Sequence, residues 1–395
     1  MQAILRHGNS FRAARCLHGR PIEPHQPVTL DTVADYIYLL EAHGDKFQLR
    51  PPALYRRLRK HGQEQTVQTW EVRRYLREGW RPLRPALLRD ADKLLVIRNM
   101  GLGDVLMVTP TLRALIAAGK HVEFATLARY VPLLYGLAGL QACHALGTDY
   151  LADRFAAWLD FNWLAETSKL AGECPRHEIF ARAAGVRLAS PLPHYLVAEQ
   201  ERRWARRLLG ERPSIAVQLR ASCPLRTYPR SHLRIVVDQL LHSGFEVLLL
   251  GDRRETSIGR IGVSPVGRSG DGPLAARNLT GSLGIRATAA LIEQCACLIA
   301  PDSGLLHLAA ALATPAVGIF GPIDPALRVA GYPLCRTISG NREVGCRPCN
   351  DRPVCLKGGS GDSSERVVAG REHPRCLRAI APEAVVELAL QQCRG

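Results

Sequence analysis

Apolar positions divide the chain into two regimes. In the first, Leu30, Val33, Ile37 and Leu40 recur at helical spacing, with Thr29 or Asp31 near the start and Gly44 at the end. Pro51-Pro52 then breaks the chain. Leu54 to Lys60 and Val67 to Leu76 read as short basic helices with Trp70, Tyr75 and Trp80 as apolar anchors, closed by Pro82 and Pro85. Residues 1–90 are therefore expected to form a basic helical N-terminal extension.

From Lys93 the pattern changes to alternating strands and helices. Leu94 to Ile97 predicts a buried strand, Val105 to Ala118 a helix, His121 to Ala125 a strand and Val131 to Leu140 a helix. A second series opens at Ile215 to Leu219. It continues with a helix over His232 to Ser243, a strand over Phe245 to Leu250 and a helix over Ala287 to Gln294. The strand Cys297 to Ala300, the helix Leu305 to Ala313 and the strand Ala316 to Phe320 complete it. Continuous apolar strands that alternate with helices predict an α/β chain with parallel sheets covered on both faces. The charged helix Glu199 to Leu209, followed by Gly210 to Pro213, reads as a hinge. It separates two α/β units, residues 91–197 and residues 198–395. Ligands of such sheets bind at the carboxyl ends of the strands.

Two strand-to-helix turns stand at such ends. Arg98-Asn-Met-Gly101-Leu-Gly103-Asp104 precedes the first helix, and Pro301-Asp302-Ser303-Gly304 precedes an Ala- and Leu-rich helix that carries His307. A strand that feeds a helix N-terminus is a ready anion site. Asp104 reads either as an N-cap or as a general base that the helix dipole keeps ionised. Asp302 and Ser303 can each cap the second helix. Ser222, Arg226 and Arg230 follow the Ile215 strand, so a cationic cluster faces the same sheet end. Taken singly, Arg226 reads as a solvated charge and His307 as a packed core histidine; their placement at adjacent strand ends favours a binding role.

Charge and cysteine usage narrow the partners. The net charge of +16 favours anionic ligands or surfaces, with eleven basic residues against three Glu between Arg50 and Arg89. No apolar run reaches the length of a membrane span, and residues 1–20 hold four arginines but no continuous apolar core of a secretory signal. Four of the twelve cysteines, Cys346, Cys349, Cys355 and Cys376, fall in a Gly/Pro-rich loop over residues 340–377. Their spacing could supply a structural tetrathiolate site for zinc, or second for iron, with no open position for catalysis. The competing reading is four reduced thiols.

The segment Leu94 to Leu115 resembles the opening of glycosyltransferase family 9, the ADP-heptose heptosyltransferases. Asp302-Ser-Gly-Leu-Leu-His307 with Phe320-Gly-Pro-Ile-Asp324-Pro resembles that family's donor-site signature. Arg226-Thr-Tyr-Pro229, Val247 to Asp252 and Asn278-Leu-Thr-Gly281 resemble further elements, in order, up to about Leu390. The resemblance implies a GT-B fold: two Rossmann-like domains, one for the acceptor (91–197) and one for the nucleotide sugar (198–395), facing a cleft. It implies inverting transfer without a catalytic cofactor, from an ADP-sugar to a hydroxyl of a lipopolysaccharide core, another glycan or a protein. Asp104 would deprotonate the acceptor, with Gly101 and Gly103 in its loop. Ser222, Arg226 and the Ser303-Gly304 backbone would hold the diphosphate, with Asp302 and His307 shaping the donor site. Departures from the family pattern are Ser303 where Thr is usual, Arg226 where Lys is common, and Arg220-Ala221-Ser222 in place of a Pro-Gly-Ala-like turn. They bear on sugar and base preference more than on reaction type. A related branch, the autotransporter heptosyltransferases, shares the layout of an added N-terminal part and a cysteine-rich metal loop.

Such an enzyme would be cytoplasmic and peripheral to the acidic inner membrane. The aromatic anchors of residues 1–90 would dock on the rest of the chain or form a homo-oligomer contact, with nucleic-acid binding the weaker reading. Two rivals remain: a nicotinamide-dependent oxidoreductase and a catalytically silent binding protein that uses its basic N-terminal helices. The first needs a third glycine where Leu106 stands, and an acid that Phe124-Ala125-Thr126 does not supply.

Overall fold

The computed structural model describes residues 2–5, 27–29, 47–50, 55–61, 63–68, 78, 81–82, 92–145, 157–162, 164–168, 170, 172–252, 276–346, 348–349 and 373–394. Packing groups the chain into two compact units. The first gathers Met1–Asn99, Gly119–Ala128 and Gln141–Asn162; the second gathers Met100–Ala118, Arg129–Leu140 and Trp163–Gly395.

Within the first unit, strands β1 (Gln2–Leu5), β2 (Pro27–Thr29) and β3 (Phe47–Arg50) form an antiparallel sheet in the order β2-β1-β3. Strands β4 (Tyr55–Lys60), β5 (Gln63–Gln68) and β6 (Arg81–Pro82) form another, in the order β5-β4-β6. This corrects the expected basic helix over Leu54 to Lys60 and the start of the one over Val67 to Leu76. Lys60 pairs with Gln63 and Arg59 with Glu64, so the two strands form a hairpin. His61, directly after β4, has φ 48°, the left-handed region that tight hairpin turns use. The helix expected over Leu30 to Leu40 and the anchors Trp70, Tyr75 and Trp80 lie outside the described residues.

The same unit holds a four-stranded sheet of β7 (Lys93–Ile97), β8 (His121–Thr126), β9 (Leu140–Ala145) and β10 (Ala157–Asp160), in the order β10-β7-β8-β9. β10, β7 and β8 run parallel. Leu94, Leu95 and Val96 are wholly buried, as an all-apolar central strand requires. At the end of β7 the buried Arg98 guanidinium donates to the Phe161 carbonyl, and the Asn99 amide donates to Asn162 Oδ1 at 2.8 Å.

The second unit is built on a six-stranded parallel sheet. Its strands are β11 (Ser214–Gln218), β12 (Glu246–Leu250), β13 (Arg277–Asn278), β14 (Cys297–Pro301), β15 (Ala316–Phe320) and β16 (Cys335–Ser339). The order β13-β12-β11-β14-β15-β16 reverses direction at β11, so β11 and β14 are neighbours at the switch point. Ligands of open α/β sheets collect at the carboxyl side of such a point. Ile215, Val217, Val236, Val247, Ile299 and Val317 are fully buried in one core. Tyr228 joins that core, and its hydroxyl donates to the Ile380 carbonyl at 2.7 Å.

The helix expected from Val105 to Ala118 is two: α1 (Leu102–Leu106) and α2 (Thr109–Ala117). Pro110 has no N–H to reach back to the Leu106 carbonyl, which accepts the Thr109 hydroxyl at 2.7 Å instead. Similarly, the helix expected over Val131 to Leu140 is a 3₁₀ segment, Ala128–Leu134, with Pro132 inside it. No helix among the described residues is long and apolar enough to cross a membrane.

Candidate active site

The first glycine turn shapes a short helix whose N-terminus is filled by its own acid. Gly101 is the N-cap of α1, and Asp104 is the third residue of that helix. Its Oδ2 accepts the Gly101 N–H at 3.2 Å, so Asp104 satisfies an orphan amide of the first turn. Oδ1 takes Arg176 Nη1 at 2.5 Å. Arg176 is the first residue of helix α3 (Arg176–Ala184). A cation is disfavoured at that end of a helix dipole, and the Asp104 carboxylate offsets the cost. Both side chains are largely buried, at 15% and 16% exposure, so the pair is less screened than a surface ion pair.

The second turn is arranged the other way. After α4 (Glu199–Leu208), α5 (Arg230–His242) and α6 (Ile285–Gln294), helix α7 (Gly304–Ala311) follows β14, with Ser303 as its N-cap in an extended conformation. Ser303 makes no side-chain cap; its hydroxyl donates to Gln218 Oε1 on β11. Asp302 does not cap the helix either. Its Oδ2 accepts Arg226 Nη1 at 3.0 Å, and Arg328 Nε stands 3.8 Å from Oδ1. Arg226 also donates to the Asp302 carbonyl at 3.3 Å and, through Nη2, to Ser222 Oγ at 3.3 Å. Among the described residues no side chain caps the first amides of α7, and they retain the partial positive charge of a helix start.

The two turns press on each other. A Cβ on Gly103 would lie 2.5 Å from His307 Cδ2 and 3.1 Å from Gly304 Cα. One on Gly304 would lie 3.0 Å from the Gly103 nitrogen. Only glycine at both positions allows this approach. His307 sits beneath it, 3% exposed. Its Nδ1 is 3.0 Å from the Tyr332 hydroxyl, and the two rings meet edge to face at 5.7 Å. Burial drives the His307 pKa down to about 4, against the opposing pull of Asp302 and Asp104, so the ring is neutral at pH 7.

These groups open on one cavity of about 400 Å³, lined by Asp104, Arg176, Arg220, Ser222, Asp252 and the Ser303-Gly304 turn, among others. All the expected residues of the acid and anion sites line it: Gly101, Gly103, Asp104, Ser222, Arg226, Asp302, Ser303, Gly304 and His307. Chemically, the cavity offers a carboxylate that can receive a proton opposite an open helix N-terminus that can hold an anion. Sequence reasoning missed Arg176, Arg328 and Tyr332, and gave Arg220 only as a departure from the family pattern. A signal existed for Arg176, because a cation at the start of a helix needs an acidic partner.

The cysteine loop is a different matter. Among the described residues no three His, Cys, Asp or Glu side chains are grouped so as to hold a metal ion, Cys346, Cys349 and Cys376 included. Cys376 belongs to the apolar core of the second unit. Cys355 lies outside the described residues. The thiols described do not make up the expected site by themselves.

Residues 175–358 match the family model described as glycosyltransferase family 9 (heptosyltransferase). Over that stretch the chain is similar to glycosyltransferase family 9. A lipopolysaccharide heptosyltransferase 2 of Salmonella typhimurium is 31% identical over 119 residues, which is 30% of this chain and 34% of that protein. The chain thus aligns with about a third of the curated relatives' length. An E. coli ADP-heptose lipopolysaccharide heptosyltransferase II superposes with a TM-score of 0.56 at 20% identity, covering 76% of this chain and 98% of the other. TibC of enterotoxigenic E. coli, described as a dodecameric iron-containing glycosyltransferase, gives 0.55 at 18% identity, covering 80% and 78%. The fold is accordingly GT-B, with two parallel α/β sheets, as expected from the family-9 motifs. The family match begins at residue 175, so Arg176 falls inside it and Asp104 lies ahead of it.

Proposed function

We propose that the protein is an inverting glycosyltransferase that moves a heptosyl group from ADP-heptose to a hydroxyl of a lipopolysaccharide-core acceptor. The observation that carries this reading is the shared cavity, with the Asp104 carboxylate and the uncapped start of α7 on its walls. Similarity to heptosyltransferases supports the sugar and the acceptor class, and the E. coli relative described as an ADP-heptose enzyme supports the nucleotide.

In this reading the acceptor oxygen attacks the anomeric carbon while Asp104 receives its proton. The bond from that carbon to the diphosphate oxygen breaks, and its electron pair leaves with the nucleoside diphosphate. Negative charge grows on the leaving group where the α7 amides point, and preorganised donors of that kind are often the largest contribution to such a transfer. Neutral His307 shapes the wall without adding charge. Residues 91–197 serve the acceptor and residues 198–395 the donor. The charge of +16 suits peripheral attachment to an acidic membrane that carries the acceptor.

Turnover of ADP-heptose against other nucleotide sugars, by wild type and Asp104→Asn, tests the proposal. Selective use of ADP-heptose, abolished or nearly so in the variant, supports it; undiminished transfer by Asp104→Asn removes the base. A second reading concerns the cysteine loop alone. The Cys346, Cys349, Cys355 and Cys376 spacing and the iron-containing relative support a structural metal, and elemental analysis after metal-replete expression tests it.

A further inference from the structure

The cavity carries more positive charge than its own carboxylates use. Four arginines line it among the described residues: Arg176, Arg220, Arg226 and Arg328. Arg176 is paired with Asp104, while Arg226 and Arg328 both face Asp302. Arg220 alone among these four makes no hydrogen bond or ion pair through its guanidinium with the described residues.

Its backbone is nevertheless fixed. The Leu219 amide donates to the Leu250 carbonyl at 3.1 Å, and the Ala221 amide donates to Thr227 Oγ1 at 3.2 Å. Gln218 Nε2 donates to the Arg220 carbonyl at 3.0 Å, while Gln218 Oε1 accepts the Ser303 hydroxyl. One glutamine thus ties the Arg220 segment to the turn that opens α7. The main chain is anchored beside the helix start, and the charged head is uncommitted. Arg226, the residue that the family resemblance casts as the diphosphate clamp, gives Nη1 to Asp302 and Nη2 to Ser222.

We propose that Arg220 is a further diphosphate-binding cation of this chain, beside Arg226, which also positions Asp302 beneath the α7 turn. This deepens the donor-site reading and rests on it. A planar guanidinium beside an uncapped helix start can take two phosphate oxygens while the amides take others. The arginine stands where the family pattern has the proline of a Pro-Gly-Ala-like turn, so the contact would be particular to this chain.

The test is isothermal titration of the full chain with ADP and, independent of the base, with inorganic pyrophosphate. Removing a charge-assisted contact weakens binding by about ten- to a hundredfold, so Arg220→Ala should lose that much for both probes. Arg220→Lys should recover part of it. Thermal unfolding without ligand should be unchanged, because the guanidinium makes no hydrogen bond or ion pair with the described residues. Arg226→Ala should lower the unfolding temperature as well as the affinity. If wild type binds ADP and Arg220→Ala binds both probes equally well, the assignment of Arg220 is wrong while the donor site stands. If Arg220→Ala leaves ADP affinity intact and raises only the acceptor KM, Arg220 serves an acceptor anion, and the proposal falls. If wild type binds neither ADP nor pyrophosphate, the donor reading fails and takes this proposal with it.

Discussion

The two glycine turns have the same plan, a strand that runs into a helix N-terminus, and opposite electrostatics. At the first, the helix start is answered from within: the Asp104 carboxylate takes the Gly101 amide and the Arg176 guanidinium. At the second, both candidate caps are diverted, Ser303 to Gln218 and Asp302 to Arg226, and the helix start is left open. A self-satisfied turn has no need of an anion and presents an acid instead. An open turn presents amides. The contrast teaches that a sequence motif of the form strand, glycine, acid, helix does not by itself say which kind of site it builds; the partners of the acid decide it.

The largest expected effect comes from the first turn. Asp104→Asn should lower kcat by about a hundred- to ten-thousandfold, the range for a positioned general base, with little change in ADP affinity. A rate within threefold of wild type would erase the distinction between the turns. Next is the glycine contact that joins them. Gly304→Ala would bring a methyl to 3.0 Å of the Gly103 nitrogen, and overpacking of this kind costs about 1–3 kcal/mol. Urea unfolding should register it; an unchanged midpoint would mean that the turns separate freely.

A pH series sharpens the role of the histidine below them. The folded His307 pKa, about 4, lies below the unfolded value near 6.5, so the unfolded chain binds its proton first as pH falls. Stability from this group is complete above about pH 6.5 and declines as pH falls toward 4. The loss between pH 7 and pH 5 should be about 2 kcal/mol. His307→Gln should remove that part of the slope, and an identical slope would place the titration elsewhere. The smallest effect is expected at the cap. Ser303→Ala breaks one hydrogen bond to Gln218 but no cap, so α7 should lose about 1 kcal/mol or less.

Much of the second unit was legible because its strands are unbroken apolar runs. Ile215 to Leu219, Phe245 to Leu250 and Ala316 to Phe320 carry enough β-branched and leucine residues that burial on both faces is the natural outcome, and β11, β12 and β15 lie there. The same holds for Leu94 to Ile97. The N-terminal segment failed for the opposite reason. Tyr55 to Lys60 has few apolar residues, and its strand is set by pairing with Gln63 to Gln68, a partnership that helical spacing cannot register. In the site, the acid and the signature residues were readable from their turns. What was not readable was who pairs with whom. Arg226 and Asp302 are far apart in sequence, as are Asp104 and Arg176, and only the switch of strand order at β11 and the packing of α1 on α7 bring such groups into one cavity.

The most direct measurement is a crystal structure of the protein with ADP. The β-phosphate should lie over the Gly304 and Leu305 amides, with the Arg220 guanidinium on its oxygens and the Asp104 carboxylate across the same cavity. ADP seated away from that helix start, or a β-phosphate held by Arg226 with Arg220 turned to solvent, would contradict this arrangement.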